Sequence, residues 1–244
     1  MKKRFVVAMM LVLTIVSSLS IPAYAATSDT VDKSELCISI ATGTEEQSSL
    51  ILPNTEPRYE DSLPTSRALT ITVEINNPLE SEWRSTYSSY YYEATRIVER
   101  ADDYLADTFG IDFSTVNQPH WTFSTTSTGE TAVEEALIDA MDKYGTGSAD
   151  LMIAFAGPLG DTTRSTIYGA AYRTYPYAII MDHDYYQNCK TTQHEVGHTY
   201  GLYDCSSSSA CVMRQGPDTT WTWFEHLCTS HKSQWESAKD NYGG

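Results

Sequence analysis

The sequence predicts a mixed α/β domain built around a sheet of five strands, and three observations carry that expectation. Strand-period and helix-period segments alternate from residue 68 to residue 181. Five strand candidates stand at 68–75, 121–124, 151–156, 167–172 and 178–181. A helix with two histidines four residues apart then follows.

Leu69, Ile71, Val73 and Ile75 alternate with Thr70, Thr72 and Glu74, which predicts a strand with one buried face. Asn76-Asn77-Pro78 ends it. From Glu80 to Phe109, Tyr87, Tyr91, Ala94, Val98, Ala101 and Leu105 recur every three or four residues. That pattern predicts one long amphipathic helix, closed by Gly110. A short strand is expected at Trp121–Ser124. Thr131 and Glu134 form a capping-box pair for a helix that buries Val133, Leu137, Ala140 and Met141 and stops at Gly145. Leu151–Ala156 is wholly apolar, as in a strand covered on both faces. Ile167–Tyr172 and Ala178–Met181 complete a β-α-β-α-β-β-β order before the histidine helix. A polar-faced helix is expected from about Ser230 to Tyr242, and no internal repeat is visible.

The N-terminus reads differently. Lys2, Lys3 and Arg4 precede an apolar run, Phe5–Val16, and Ala23-Tyr24-Ala25 offers a small-residue cleavage site. This is the anatomy of a secretory signal peptide over residues 1–25. The apolar run is too short for a membrane anchor, which needs about 20 residues. Residues 26–67 hold Pro53, Pro57 and Pro64 and show no sustained period, so they are expected to form a prosegment or N-terminal arm. The folded domain is expected over 68–244, with an N-subdomain to about 201 and a C-subdomain over 202–244.

Thirty-two acids against sixteen Lys and Arg give a formal net charge of −16. That balance argues against a nucleic-acid partner and against docking on anionic membranes. It favours an exported, soluble monomer. Calcium is not indicated, because no EF-hand-type loop is present; Asp182-His183-Asp184 reads as a solvated turn.

The chemistry lies in His194-Glu195-Val196-Gly197-His198-Thr199-Tyr200-Gly201-Leu202-Tyr203-Asp204. On a helix His194 and His198 share a face and can present both imidazoles to one cation, and two neutral imidazoles suit zinc. Glu195 sits beside that cation, placed to hold a water. Gly201 allows the chain to turn back and bring Asp204 to the same metal. Glu225 is a competing third ligand, His226 and His231 are further candidates, and His120 and His183 are not expected to bind.

HExxHxxGxxD followed by Met213 in Cys211-Val212-Met213 resembles the metzincin zinc metallopeptidases, and the aspartate variant is similar to the small secreted proteases of the snapalysin type. The resemblance implies a zincin-like fold with a twisted, mostly parallel sheet, long helices, an active-site helix and a small irregular C-terminal part ending in a helix. It implies Met213 in a turn beneath the zinc and a sheet-edge strand that pairs with extended substrate, here Ile167–Tyr172. It implies one catalytic zinc on His194, His198 and Asp204, with Glu195 as general base for peptide-bond hydrolysis of protein or peptide substrates.

Cys205, Cys211, Cys228 and His231 also resemble the archaemetzincin pattern, which carries a second zinc on four cysteines. The cysteine spacing and the histidine depart from it and argue against that second zinc. In an exported chain, Cys189, Cys205, Cys211 and Cys228 read instead as two disulfides, with Cys205–Cys211 and Cys189–Cys228 favoured. Cys37 is either a latency thiol on the catalytic zinc of a zymogen or an unpaired cysteine. Two alternatives to a one-zinc protease stay open: a catalytically weak zinc-containing binding protein, and an archaemetzincin-like protease with a second structural zinc.

Overall fold

The computed structural model describes residues 30–42, 70–159, 165–206, 211–215 and 226–243. The residues of the expected signal peptide, most of the expected prosegment and Glu225 lie outside them. Four strands run parallel: β2 (Ile71–Asn76), β3 (Ile111–Asn117), β4 (Leu151–Ala156) and β6 (Tyr177–Met181). Antiparallel to β6 runs β5 (Ser165–Tyr172), and antiparallel to β5 runs β1 (Leu36–Thr42). The sheet order is β1-β5-β6-β4-β2-β3. The sheet is therefore mixed and six-stranded, where five strands were expected.

The extra strand comes from the supposed patternless arm. Leu36, Ile38 and Ile40 alternate with Cys37 and Ser39, but five residues among serines and acids give little period to read. A second correction concerns the helix expected over 80–109. It is two helices, α1 (Ser81–Thr86) and α2 (Tyr90–Phe109). Tyr87 turns extended as the cap of α1, and its hydroxyl donates to Asp182 Oδ1 at 2.7 Å. Ser88 and Ser89 are poor helix interior residues that fill the break. Gly110, at φ 72°, ends α2 in the left-handed conformation.

β3 begins one residue later, at Ile111, and not at Trp121; Ile111 and Phe113 face inward and Asp112 and Ser114 outward. Of the 121–124 stretch only Trp121 pairs with the sheet region, through a backbone bond from its N to Leu79 O, next to the isolated bridge of His120 with Leu79. Its apolar residues serve the core: Trp121 is buried against α3 (Glu130–Tyr144). That helix starts on Gly129 without a side-chain cap, so the Thr131 capping box does not form.

Every residue of β4 is buried, and its side chains alternate between two cores. Leu151, Ile153 and Phe155 join the core under α2 and α4 (Tyr185–Thr199); Met152, Ala154 and Ala156 join the core under α3. Burying a side chain of this size contributes about 1.5–3 kcal/mol, so the sheet is clamped from both faces. The last helix, α5 (Thr229–Ala238), stops short of Tyr242 in a 3-10 turn and buries Trp235 and His231. Among the described residues no helix is long and apolar enough to cross a membrane.

Candidate active site

α4 is fixed at both ends before its chemistry begins. Asp184 caps it, accepting from Tyr186 N and Gln187 N at 3.1 Å each. Asp182 accepts from Tyr87 and Asn188, and His183 meets Ile167 O at 3.1 Å. The Asp182-His183-Asp184 stretch is thus a helix cap tied to three elements, not a solvated turn. At the far end Gly201, at φ 92°, reverses the chain, and Leu202 N returns to Gly197 O. No side chain but glycine's adopts that φ freely.

The reversal brings Asp204 to the two histidines. Its Oδ1 stands 3.4 Å from His194 Nε2 and 3.6 Å from His198 Nε2, and the two Nε2 atoms are 3.0 Å apart. Each ring is held from behind: Nδ1 of His194 donates to Val212 O at 2.8 Å and Nδ1 of His198 to Leu202 O at 2.9 Å. A carbonyl only accepts, so both Nδ1 atoms carry hydrogen and both Nε2 lone pairs converge on one point. Three donors about a tetrahedral zinc with bonds near 2.0–2.1 Å lie about 3.3 Å apart, and the three distances here bracket that value.

Burial and the closeness of the three donors set their electrostatics. Burial pushes His198 down to about 3, helped by the neighbouring His194 ring. Burial works the same way on His194, but the hydrogen bond to Asp204 and the charges of Glu195 and Asp204 outweigh it and leave that ring raised. Asp204, despite its own burial, is lowered by His194 and His198.

Glu195 is fully buried one residue along the helix. Burial pushes it up to about 7, against the lowering effect of His194. Its Oε1 accepts from Ser39 Oγ at 2.5 Å, while Oε2 has no partner. A buried carboxylate oxygen left bare is an acceptor waiting for a water or a substrate group. Gly169 on β5 makes room for this side chain, since a Cβ there would come within 3.1 Å of Glu195 Cγ and 2.8 Å of Ile179 O.

Met213 lies directly beneath α4. A Cβ on Gly197 would run into Met213 Sδ. Cys205 N bonds to Met213 O at 2.6 Å, which ties the turn under the helix to the loop that carries Asp204.

Cys205, Cys211, Cys228 and His231 form a second donor group. Cys205 Sγ and Cys228 Sγ are 3.8 Å apart, Cys211 Sγ and His231 Nδ1 3.5 Å, and Cys228 Sγ and His231 Nδ1 3.0 Å. Zinc–thiolate bonds of about 2.3 Å place tetrahedral sulfurs about 3.8 Å apart, so the set fits a closed site. The disulfide expectation is corrected: all five cysteines are free thiols, and Cys189 stands apart, buried against Tyr185. Sequence distance alone favoured the wrong partners, because His231 enters from α5 and completes the group. His231 is accordingly no ligand of the first centre.

Of the remaining candidates, His226 is exposed, with its carbonyl accepting from Val212 N. His120 lies against Tyr90 and Tyr91, away from the centre. Cys37 is on β1; burial first, then the charges of Glu195 and Asp204, push its thiol up to about 12, and its closest polar contact is Glu35 O at 3.8 Å. Sequence reasoning missed Ser39 and Gln215. Gln215 Nε2 donates to Asp204 Oδ2 at 2.8 Å and to Ile38 O at 3.2 Å. The edge position expected for β5 is also corrected, because β1 covers that strand along its length.

No protein-family model matches the chain, and no curated protein matches it. Among solved structures it is similar to an archaemetzincin from Methanopyrus kandleri, at 14% identity over 72% of this chain and 99% of that one, with a TM-score of 0.49. It is also similar to a chain of a chaperone–substrate complex, at 16% identity over 58% of this chain and 25% of that one, with a TM-score of 0.42.

Proposed function

We propose that this chain is a secreted zinc-dependent endopeptidase of metzincin type, acting as a monomer on protein or peptide substrates. One observation carries the reading: two back-bonded imidazoles and one carboxylate converge on a single point beside a buried glutamate whose second oxygen is bare. His194, His198 and Asp204 would hold the catalytic zinc. When bound, that metal supplies Lewis acidity and an acidified water.

The rest of the chemistry falls to the chain. Glu195 Oε2 accepts the proton of the attacking water and returns it to the leaving amine as the peptide bond breaks. The carbonyls of Val212 and Leu202 hold the two rings in the tautomer that keeps Nε2 free. The Cys205, Cys211, Cys228 and His231 group favours the alternative with a second zinc, which would pin the irregular C-terminal part beneath α4. A three-donor site with a base beside it suits catalysis, whereas four protein donors suit structure.

The test is hydrolysis of an unfolded protein such as casein, with a chelator and with zinc restored. The chelator-sensitive rate should vanish and return. A zinc-replete chain with no chelator-sensitive hydrolysis in any form would instead be a binding protein.

A further inference from the structure

The cleft beside His194 is opposite in sign to the chain that forms it. The sequence holds 32 acids against 16 Lys and Arg. Yet Lys190 and Arg214 line this cleft, and no Asp or Glu lines it among the described residues. Lys190 stands one turn before His194 on α4. Four residues of helix span about 6 Å along the axis, and residues at that spacing share a face. The face that offers His194 to the centre therefore carries the ammonium too. Arg214 comes from the turn under the helix. It follows Met213 and precedes Gln215, which donates to Asp204 Oδ2 at 2.8 Å. The two cations thus reach the cleft from separate elements, each tied to a part of the centre.

Other cations of the chain are arranged differently. Arg96, Arg100, Lys143 and Lys239 each pair with an acid three or four residues away, and such pairs dress a solvated face. At those spacings Lys190 has Tyr186, Gln187, Gln193 and His194, none of them acidic. Both cleft cations also engage other groups of the chain. An ammonium has three donors and a guanidinium five, so an incoming carboxylate can add to those partners. Thr191, on the same wall, accepts from Gln187 Nε2 at 3.1 Å and keeps its own hydrogen to donate. Two cations and a hydroxyl donor, with no acid opposing them in the lining, suit a carboxylate.

We propose, on the strength of the peptidase reading, that this cleft selects substrates with Asp or Glu next to the cleaved bond, and that Lys190 and Arg214 determine that specificity. The position follows from His194, which lines the cleft as well. An extended peptide advances about 3.3 Å per residue, so the side chain that enters beside His194 belongs to a residue adjoining the reacting carbonyl. The chain's surface acids oppose an acidic substrate only from afar. Physiological salt screens them beyond about 8 Å, whereas the cleft cations act in contact.

The test uses the full, zinc-replete chain and casein, whose cut sites are mapped by mass spectrometry. Amidated peptides are then built on the best-cut site, identical except for Glu, Gln or Lys on one side of the bond or the other. Twins with a free C-terminus accompany them, and kcat/KM is measured for each. The expected result is a preference of about 10–100-fold for Glu over Gln at one of the two positions, the size of a charged hydrogen bond. In Lys190→Ala combined with Arg214→Ala that preference should disappear, and Lys190→Glu with Arg214→Glu should turn it toward Lys. Each ratio compares two peptides on one preparation, so partial loss of fold or zinc cancels from it. Anisotropy of labelled Glu and Gln peptides on the Glu195→Gln chain repeats the comparison without turnover, and there the Glu peptide should bind tighter. Equal chelator-sensitive rates for the Glu and Gln peptides would overturn the specificity and leave the peptidase reading standing. A preference that survives both double variants would overturn it too. So would one that appears only with a free C-terminus, which would assign the cations to a terminal carboxylate. Absence of chelator-sensitive hydrolysis of casein and of every peptide would sink the peptidase reading, and this specificity with it.

Discussion

The molecule carries two clusters of metal-suited donors, built in opposite ways. His194, His198 and Asp204 come from one helix and the turn that follows it, and they stop at three, facing Glu195. Cys205, Cys211, Cys228 and His231 come from two loops and the start of α5, and they close a set of four. One cluster holds two neutral rings and a single acid; the other offers three thiols. The comparison teaches that coordination number and the neighbouring base, more than the metal, separate chemistry from scaffolding.

The largest effect should come from removing the base. Glu195→Gln should keep both metals and the fold while chelator-sensitive hydrolysis falls by about 10²–10⁴. Retention of more than about a tenth of the rate would fall outside that range and erase the functional half of the comparison. Next come the ligand variants, read by zinc content and melting temperature. Asp204→Ala should lose one of two zinc ions and all activity with little change in melting. Cys211→Ser should lose the other ion and destabilise the fold by about 4 kcal/mol or more, as loss of a structural metal does. If Glu225→Ala costs the catalytic zinc instead, Asp204 is only a loop acid.

Chelation sharpens the contrast without mutation. The three-donor centre should release its metal first, abolishing activity at chelator levels that leave the melting temperature unchanged; a second step should then lower it. One joint step would mean that the two centres are not independent. The smallest effect concerns the floor they share. Gly197→Ala would drive a methyl into Met213 and toward Trp235, and overpacking of that kind costs about 1–3 kcal/mol. Calorimetry of the variant measures it directly.

What could be read from the sequence was local. β4 is a continuous apolar run, and the α4 motif sets its own helical spacing, so their positions follow from neighbours in the chain. The turn that brings Asp204 back starts at Gly201, three residues before it, and is therefore also local. What could not be read was distant or abrupt. The Cys205, Cys211, Cys228 and His231 set was visible as a pattern, but its spacing could not show that the loops and α5 close the four donors on one point. The break at Tyr87 depends on Asp182, far along the chain. β3 starts immediately after a helix, leaving no loop to announce it. β1 is short, and its alternation is meaningful only beside β5.

That last strand has a consequence for the time course of folding. Ser39 and Glu195 meet across 156 positions of sequence, whereas β2, β3 and α2 join close neighbours in the chain. Closing long loops is slow and is rewarded last. β1 precedes its partner strand in the chain, and by that rule it is expected to dock after the rest of the sheet. The folding molecule is then expected to pass through an interval in which the outer edge of β5 is uncovered. Pulse-labelling hydrogen exchange during refolding should find the β5 amides that face β1 protected after those that face β6. Simultaneous protection would place β1 in the folding nucleus instead.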